Sequence, residues 1–350
     1  MQSPRQLLEH LLERRDLEES SAARLLEVLT GADLQPAMAG ALLAAVRAKG
    51  LTPAEVRGFA GAMRALARKP ALPEAADAID IVGTGGDSSC SLNLSTGAAL
   101  LTAASGVDVI KHGNRSITSR CGSADLIEQL GLTLPLDEQR AAECLAATGF
   151  TFLFAPYFHP AMKVLAPIRT ALGVRTIFNL LGPLTNPAAP RFQLIGAYDE
   201  DAAELIANTL AGMNGARAWV VHGAAGWDEA TPIGPFLAFD VTAGRVSRER
   251  LDPEQFGLPR CTAADLKGAD AAANLEALVA VFDGRDRGAH RDALTLQCGL
   301  ALYIAGRAPS PRQGVALAAE TLDSGRAAAW LERLREFGRR PAVRPAERAS

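Results

Sequence analysis

The sequence predicts an α/β protein, with a small all-helical domain followed by a large domain whose central mixed sheet is flanked by helices. Three observations carry that prediction. The first seventy residues place apolar side chains at helical spacing and show no strand-like alternation. From Ile79 onward, short apolar runs alternate with helical stretches, the pattern of parallel strands joined by crossovers. Two of those runs, Ile79–Val82 and Val107–Ile110, lead into polar, glycine-bearing turns, where open α/β sheets place their ligands.

Taken in order, Ser3 is placed to cap a first helix, with Pro4 at N1, Gln6 at N3, and Leu7, Leu8, Leu11 and Leu12 on its apolar face. A second helix covers Glu19–Thr30 and stops at Gly31, and a third runs from Pro36 to Lys49 and stops at Gly50. Thr52-Pro53-Ala54-Glu55 repeats the capping pattern and opens a fourth, with Val56, Phe59, Met63 and Leu66 turned inward. Pro70–Pro73 is the linker. Beyond it come helices at Thr96–Ala104, from the cap Gly122-Ser123-Ala124-Asp125 to Leu130, at Leu136–Ala147 and at Ala161–Leu172, with a strand at Thr151–Phe154. Asn179–Pro190 holds too much Pro and Asn for one regular element. Strands Phe192–Ala197 and Ala218–Val221 bracket the helix Asp201–Leu210 as a crossover unit. Phe236–Asp240 and Arg245–Arg248 flank Gly244 as a peripheral hairpin. Helices Asp270–Phe282, Arg291–Ala305 and Pro311–Phe337, the last broken at Ser324-Gly325, complete the domain. Residues 338–350 lack an apolar period and read as a loose tail.

Composition narrows the function. At 350 residues the chain can bury a large core, and a net charge of −3 gives no basic surface for nucleic acid. The five cysteines are odd in number, widely spaced and free of any CxxC pair, so neither a disulfide framework nor a structural zinc site is indicated. The first residues show no signal-like apolar segment and no run is long enough to span a membrane, so a cytoplasmic protein is expected.

The chemistry concentrates between Ile79 and Gly122. Gly83-Thr84-Gly85-Gly86-Asp87 lets a ligand approach backbone N–H groups, and such groups at a helix start suit an anion. Asn93, Ser95 and Thr96 add polar donors, and Lys111 adds a mobile positive charge. Asp87 would repel phosphate unless it faces ribose hydroxyls or a bridging cation, so the ligand asked for is a sugar carrying phosphates. Lys111-His112-Gly113-Asn114-Arg115 is expected as a turn at a strand end, with His112 and Asn114 facing a second, planar ligand. Arg169, ten residues past His159 on the next helix, matches a carboxylate bidentately or is a surface residue of that helix. Asp228-Glu229, on a loop after a strand, suits magnesium, which takes oxygen ligands and shares substrate phosphates. Gly173-Val174-Arg175-Thr176 and the rigid run Asn179–Pro187 read as shaping a hinge.

These strings, together with Gly122-Ser123-Ala124-Asp125, Phe154-Ala155-Pro156, Val174–Pro187 and His222-Gly223, resemble the anthranilate phosphoribosyltransferases over roughly residues 5–337. The sequence departs from the family pattern at Ser88–Leu92, Trp227 and Gln297-Cys298, and Tyr157-Phe158 is bulkier than in some relatives. The resemblance implies transfer of a phosphoribosyl group from 5-phosphoribosyl 1-diphosphate to anthranilate in tryptophan biosynthesis. It implies a helical domain of residues 1–70 joined by about 160–187, and a donor-binding domain of 71–159 with 188–337. It assigns the donor to Gly83, Gly85, Gly86, Asp87, Ser91, Asn93, Ser95, Thr96, Lys111 and Ser123, and anthranilate to Gly83, His112, Asn114, His159 and Arg169. Magnesium, two ions with the diphosphate, falls to Ser95, Asp228 and Glu229, and catalysis to Lys111, His112 and Asp87. A homodimer through the helical domain is implied, while association with anthranilate synthase is not legible in the sequence. Phe158 or Met162 would line the acceptor ring, and His112 as general base and a substrate-assisted route stand side by side. The alternatives are a related enzyme with another aromatic or nucleobase acceptor, and a non-catalytic binding protein.

Overall fold

Four helices open the chain: α1 (Pro4–Leu12), α2 (Glu19–Thr30), α3 (Pro36–Lys49) and α4 (Pro53–Leu66). The structure is a computed structural model and describes residues 3–72, 77–87, 89, 91–115, 121–213 and 217–341. Both expected capping boxes form, Ser3 with Gln6 and Thr52 with Glu55, and each such cap contributes about 1 kcal/mol. Glu55 does more than cap. Its buried carboxylate also accepts the Leu17 N–H at 2.8 Å and the Lys49 ammonium at 2.9 Å, tying the starts of two helices to the end of a third. Leu12 and Leu66, expected inside, are 66% and 43% exposed, because each lies in the last turn of its helix, past the packed face.

The α/β part follows as β1 (Ile79–Gly83), α5 (Leu94–Ala104), β2 (Val109–Gly113), α6 (Ser123–Gln129), α7 (Glu138–Thr148) and β3 (Phe150–Phe154). After the short helix α8 (Ala155–Phe158) and a 3₁₀ turn at Pro160–Val164 come α9 (Ala166–Leu172) and the single turn α10 (Phe178–Leu181). The expected helix Ala161–Leu172 is therefore two pieces. Pro167 has no N–H to give and its ring would strike the carbonyl of residue 163, so the helix restarts at Ala166. Then come β4 (Phe192–Gly196), α11 (Glu200–Ala211), β5 (Arg217–His222), the hairpin β6 (Phe236–Thr242) with β7 (Arg245–Leu251), and α12 (Ala271–Phe282), α13 (Ala289–Ile304), α14 (Pro311–Asp323) and α15 (Arg326–Arg339). Ser88, Cys90, Pro73 and residues 342–350 of the expected tail lie outside the described residues, whereas its first residues are not loose: Gly338 and Arg339 finish α15, and the Arg340 carbonyl accepts from Arg140 at 2.7 Å.

One sheet of seven strands runs β3-β2-β1-β4-β5-β6-β7. The first five are mutually parallel, and β6 and β7 add antiparallel at one edge, so the sheet is mixed as expected. Side chains alternate between its faces. Trp219 and Val221 of β5 join a core with α5, α13 and α15, whereas Ala218 and Val220 join a second core with α11 and the four opening helices. Helix α9 packs against α3 and α10 against α4, so the mid-chain segment lies on the opening helices.

Candidate active site

Strand order reverses at β1. The chain adds β2 and β3 on one side of it and returns to place β4 on the other, and the carboxyl ends of β1 and β4 border the crevice that such a reversal opens. Gly83 and Gly196 end these two strands as register partners. Asp228 lies over both. A Cβ on Gly196 would collide with its main-chain oxygen, which leaves room for glycine alone, and one on Gly83 would have to displace its carboxylate.

Asp228 Oδ2 accepts the Gly85 N–H at 2.6 Å, and the Asp228 N–H donates to Asp87 Oδ2 at 3.3 Å. Glu229 accepts from the Ser95 N–H at 3.0 Å and from the Ser91 hydroxyl at 3.2 Å. The loop after β1, the first turn of α5 and the loop after β5 thus meet at one acidic point. Both carboxylates are buried, and burial followed by the neighbouring negative charges pushes Asp228 up to about 7 and Glu229 well above its ordinary value. Such a crowded set of hard oxygens fits magnesium, which would relieve the repulsion and draw further ligands from substrate phosphate and water. Among the described residues no three His, Cys, Asp or Glu side chains converge closely enough to hold a metal alone. Ser95 meets Glu229 through its main-chain N–H.

Lys111 differs from expectation. It and His112 belong to β2 rather than to a turn, because the parallel ladder with β3 extends through Gly113 and Phe154. The Lys111 side chain is buried at 2% exposure, and its ammonium donates to the Ile81 carbonyl. Burial lowers its pKa, while Asp80, Glu229 and Asp228 oppose that loss. It is a pinned charge behind the acidic cluster and no longer a mobile one. Asp80 is fully buried and pushed up to about 6 by that burial. It is held by the Asn186 amide at 2.9 Å and the His112 N–H at 3.3 Å. Asp80 and Asn186 were missed in the sequence, although Asn186 stands in the rigid Pro-rich run.

His112 and His159 form an edge-on pair with ring centroids 5.1 Å apart. His112 Nδ1 lies 3.3 Å from the Gly182 carbonyl, and Nε2 of both rings is buried without a partner among the described residues. Burial depresses His112 to about 3 and His159 to about 4, so both are neutral at pH 7. A His112 with so low a pKa is a poor general base, and the pair instead offers two unfilled polar positions. Asn114 is exposed beside this strand end, and its main chain accepts from the Ser123 hydroxyl at 3.0 Å. Arg169 stacks its guanidinium 5.3 Å from the Phe178 ring centre, burial presses its pKa down, and no carboxylate pairs with it among the described residues.

Three other expected contacts are used elsewhere. Thr96 is buried in α5 at 1% exposure. Asn93 donates to the Cys121 carbonyl at 3.0 Å and accepts from Asn274 at 3.0 Å, bracing the start of α5 against α12. Phe158 is fully buried in the core and lines no cleft, whereas Met162 packs part-buried against the helical core.

Residues 75–328 match a family model described as glycosyl transferase family, a/b domain, and residues 5–67 match the glycosyl transferase family, helical bundle domain. An anthranilate phosphoribosyltransferase of Rubrobacter xylanophilus is 46% identical over 268 residues, 77% of this chain and 78% of that protein. One from Solibacter usitatus is 47% identical over 264 residues, 75% of this chain and 77% of that one. The crystal structure of the Thermus thermophilus anthranilate phosphoribosyltransferase superimposes with a TM-score of 0.90 at 42% identity, covering 95% of this chain and 99% of that chain. The Saccharomyces cerevisiae enzyme in complex with PRPP and Mg gives 0.81 at 26% identity, covering 96% and 93%.

Proposed function

The chain belongs to the anthranilate phosphoribosyltransferase family, and on that premise we propose how its residues divide the work. It transfers the 5-phosphoribosyl group of 5-phosphoribosyl 1-diphosphate to the amine of anthranilate, giving N-(5-phosphoribosyl)anthranilate and diphosphate in tryptophan biosynthesis. The observation that carries the assignment is the meeting of Asp228 and Glu229 with the Gly83–Asp87 loop, Ser91 and Ser95 at the strand-order reversal.

The donor sits on Gly83, Gly85, Gly86, Asp87, Ser91 and Ser95, with Asn93, Thr96 and Ser123 shaping the wall behind them. Magnesium, held by Asp228 and Glu229, supplies charge neutralisation for the diphosphate. Lys111, fixed between Asp80 and the acidic pair, sets the local potential against which the leaving group departs. Asp87 stands where positive charge grows on the ribose. Anthranilate lies between the unfilled Nε2 atoms of His112 and His159, Asn114 and the Arg169 guanidinium, which takes the carboxylate. With both imidazoles too weakly basic to take it, the proton that the amine sheds once its bond to C1 has formed passes to the departing diphosphate, the substrate-assisted route. A half-buried guanidinium with no carboxylate partner among the described residues favours a carboxylate-bearing acceptor over a nucleobase.

The protein works in the cytoplasm as a homodimer joined through its helical domain, which comprises residues 1–70 and about 160–187. Incubation with donor, magnesium and anthranilate releases diphosphate in step with anthranilate loss. Failure to release it with anthranilate, other aromatic amines or nucleobases would overturn the catalytic reading.

A further inference from the structure

Arg175 has no place in the donor, acceptor or metal assignments above, yet it touches three parts of the molecule at once. Its guanidinium Nη2 donates to the Gly86 carbonyl at 2.6 Å. The same group stacks 3.9 Å from the ring centre of Tyr198, just after β4. Its own carbonyl accepts from Arg47 of α3 at 2.6 Å. The segment carrying it is short and held at both ends. Gly173 closes α9 in the left-handed region at φ +62°, and the Thr176 N–H donates to the Asn179 side chain at 2.9 Å.

The loop it reaches is weakly constrained by its own sequence. Gly85 and Gly86 are both left-handed, at φ +68° and +77°, and neither has a side chain to pack. Thr84 ties its base to the β4 side, donating to the Gly196 carbonyl at 2.9 Å and accepting from the Tyr198 N–H at 3.1 Å. Asp228 holds the Gly85 N–H. The next peptide, Gly86–Asp87, has its carbonyl taken by Arg175. A trans peptide sets its carbonyl and N–H antiparallel, so aiming the Gly86 carbonyl at Arg175 turns the Asp87 N–H the opposite way and sets the direction in which Asp87 leaves the loop.

We propose that Arg175 is a positioning residue for the phosphoribosyl donor: it fixes the Gly86–Asp87 peptide and couples that peptide, through Arg47, to the placement of the helical domain. This rests on the reading of Gly83–Asp87 as the donor loop. Planarity and stacking both matter, so a lysine is not an equivalent replacement.

The test is steady-state kinetics for both substrates at saturating magnesium, with melting temperatures, on R175A, R175K, Y198L, R47M and the R47M/R175A pair. The parent enzyme is the control for the underlying reading. If it releases no diphosphate from donor and anthranilate, the assignment of the loop fails before Arg175 is at issue. With an active parent, R175A raises the donor KM about tenfold, equal to ~1.4 kcal/mol, leaves the anthranilate KM within about twofold, and melts within a few degrees of the parent. R175K restores only part of the loss, and Y198L, which removes the stack and keeps the cation, raises the donor KM by a smaller factor. R47M acts through the same strap, so adding it to R175A costs nothing further. A donor KM within twofold of the parent in R175A, donor and acceptor KM rising in parallel, or full additivity of R47M with R175A would each overturn the proposal. Should R175A fold poorly, the donor KM of Y198L and R47M decides the matter alone.

Discussion

Asp228 occupies the space that a side chain on Gly83 would need. Its Oδ2 lies 2.2 Å from where a Cβ would be built and accepts the N–H of Gly85, two residues on, at 2.6 Å. The acidic loop after β5 and the glycine loop after β1 are therefore one interlocked unit. Gly83→Ala forces the carboxylate away, and overpacking of this kind costs about 1–3 kcal/mol. The expected result is a melting temperature lower by several degrees, a higher magnesium requirement and a kcat/KM reduced at least about tenfold. Parental values for all three would show that the two loops do not depend on one another.

Asp228→Asn and Glu229→Gln separate stability from function. The folded protein holds Asp228 near 7 against an ordinary 3.8, so between those values it binds more protons than the unfolded chain. Stability of the metal-free protein therefore falls as pH rises from about 4 to about 7. In chelator at pH 8, Asp228→Asn melts higher than the parent, by roughly 2–4 °C for each kcal/mol recovered, and the gain shrinks at pH 5. Both variants shift half-maximal rate to higher magnesium. A variant that melts no higher at pH 8 and titrates magnesium like the parent would refute the acidic pair.

Lys111→Met removes the charge that opposes Asp80 inside the sheet. Breaking a buried pair on one side costs about 3–5 kcal/mol, and loss of the electrostatic contribution to diphosphate departure costs a further ~2–4 kcal/mol in the barrier. Adding Asp80→Asn restores much of the melting temperature while kcat stays low. Recovery of both together would mean that Lys111 acts only in folding.

The two buried histidines give an opposite pH signature. Their folded pKa values, about 3 and about 4, lie below the ordinary 6.5, so the unfolded chain binds more protons in that window. Their contribution is fully present above pH 6.5 and is lost as pH falls toward 4. His159→Asn flattens this acid limb, and kcat shows no inflection near 6.5 traceable to either ring. A kcat inflection there that vanishes in His112→Asn would restore His112 as a general base.

Arg169→Ala raises the anthranilate KM far more than the donor KM, by about tenfold or more if a charged hydrogen-bonded contact of ~1.5–3 kcal/mol is lost. Aniline, which has no carboxylate, is affected little. Equal effects on anthranilate and aniline would remove Arg169 from the acceptor site.

Local signals in the chain determined most of the architecture. The Ser3 and Thr52 caps, each followed by proline, set where α1 and α4 begin, Pro36 sets where α3 begins, and Gly31 and Gly50 mark where α2 and α3 stop, because such signals act within the adjoining turn. The glycine loop, the acidic pair and the basic strand end were legible for the same reason, as short runs of unusual chemistry. What tertiary structure alone decided was which of those groups are free. A run of four polar residues around a glycine gives no sign that Lys111 and His112 extend a ladder with β3, which buries the lysine beside Asp80 on a neighbouring strand. Nor does it show that Asn93 is already bonded to Cys121 and Asn274, or that Arg175 reaches Gly86 from 89 residues away. Burial and long-range pairing follow from how the sheet and the two cores close around a position, and no spacing within the chain encodes them directly.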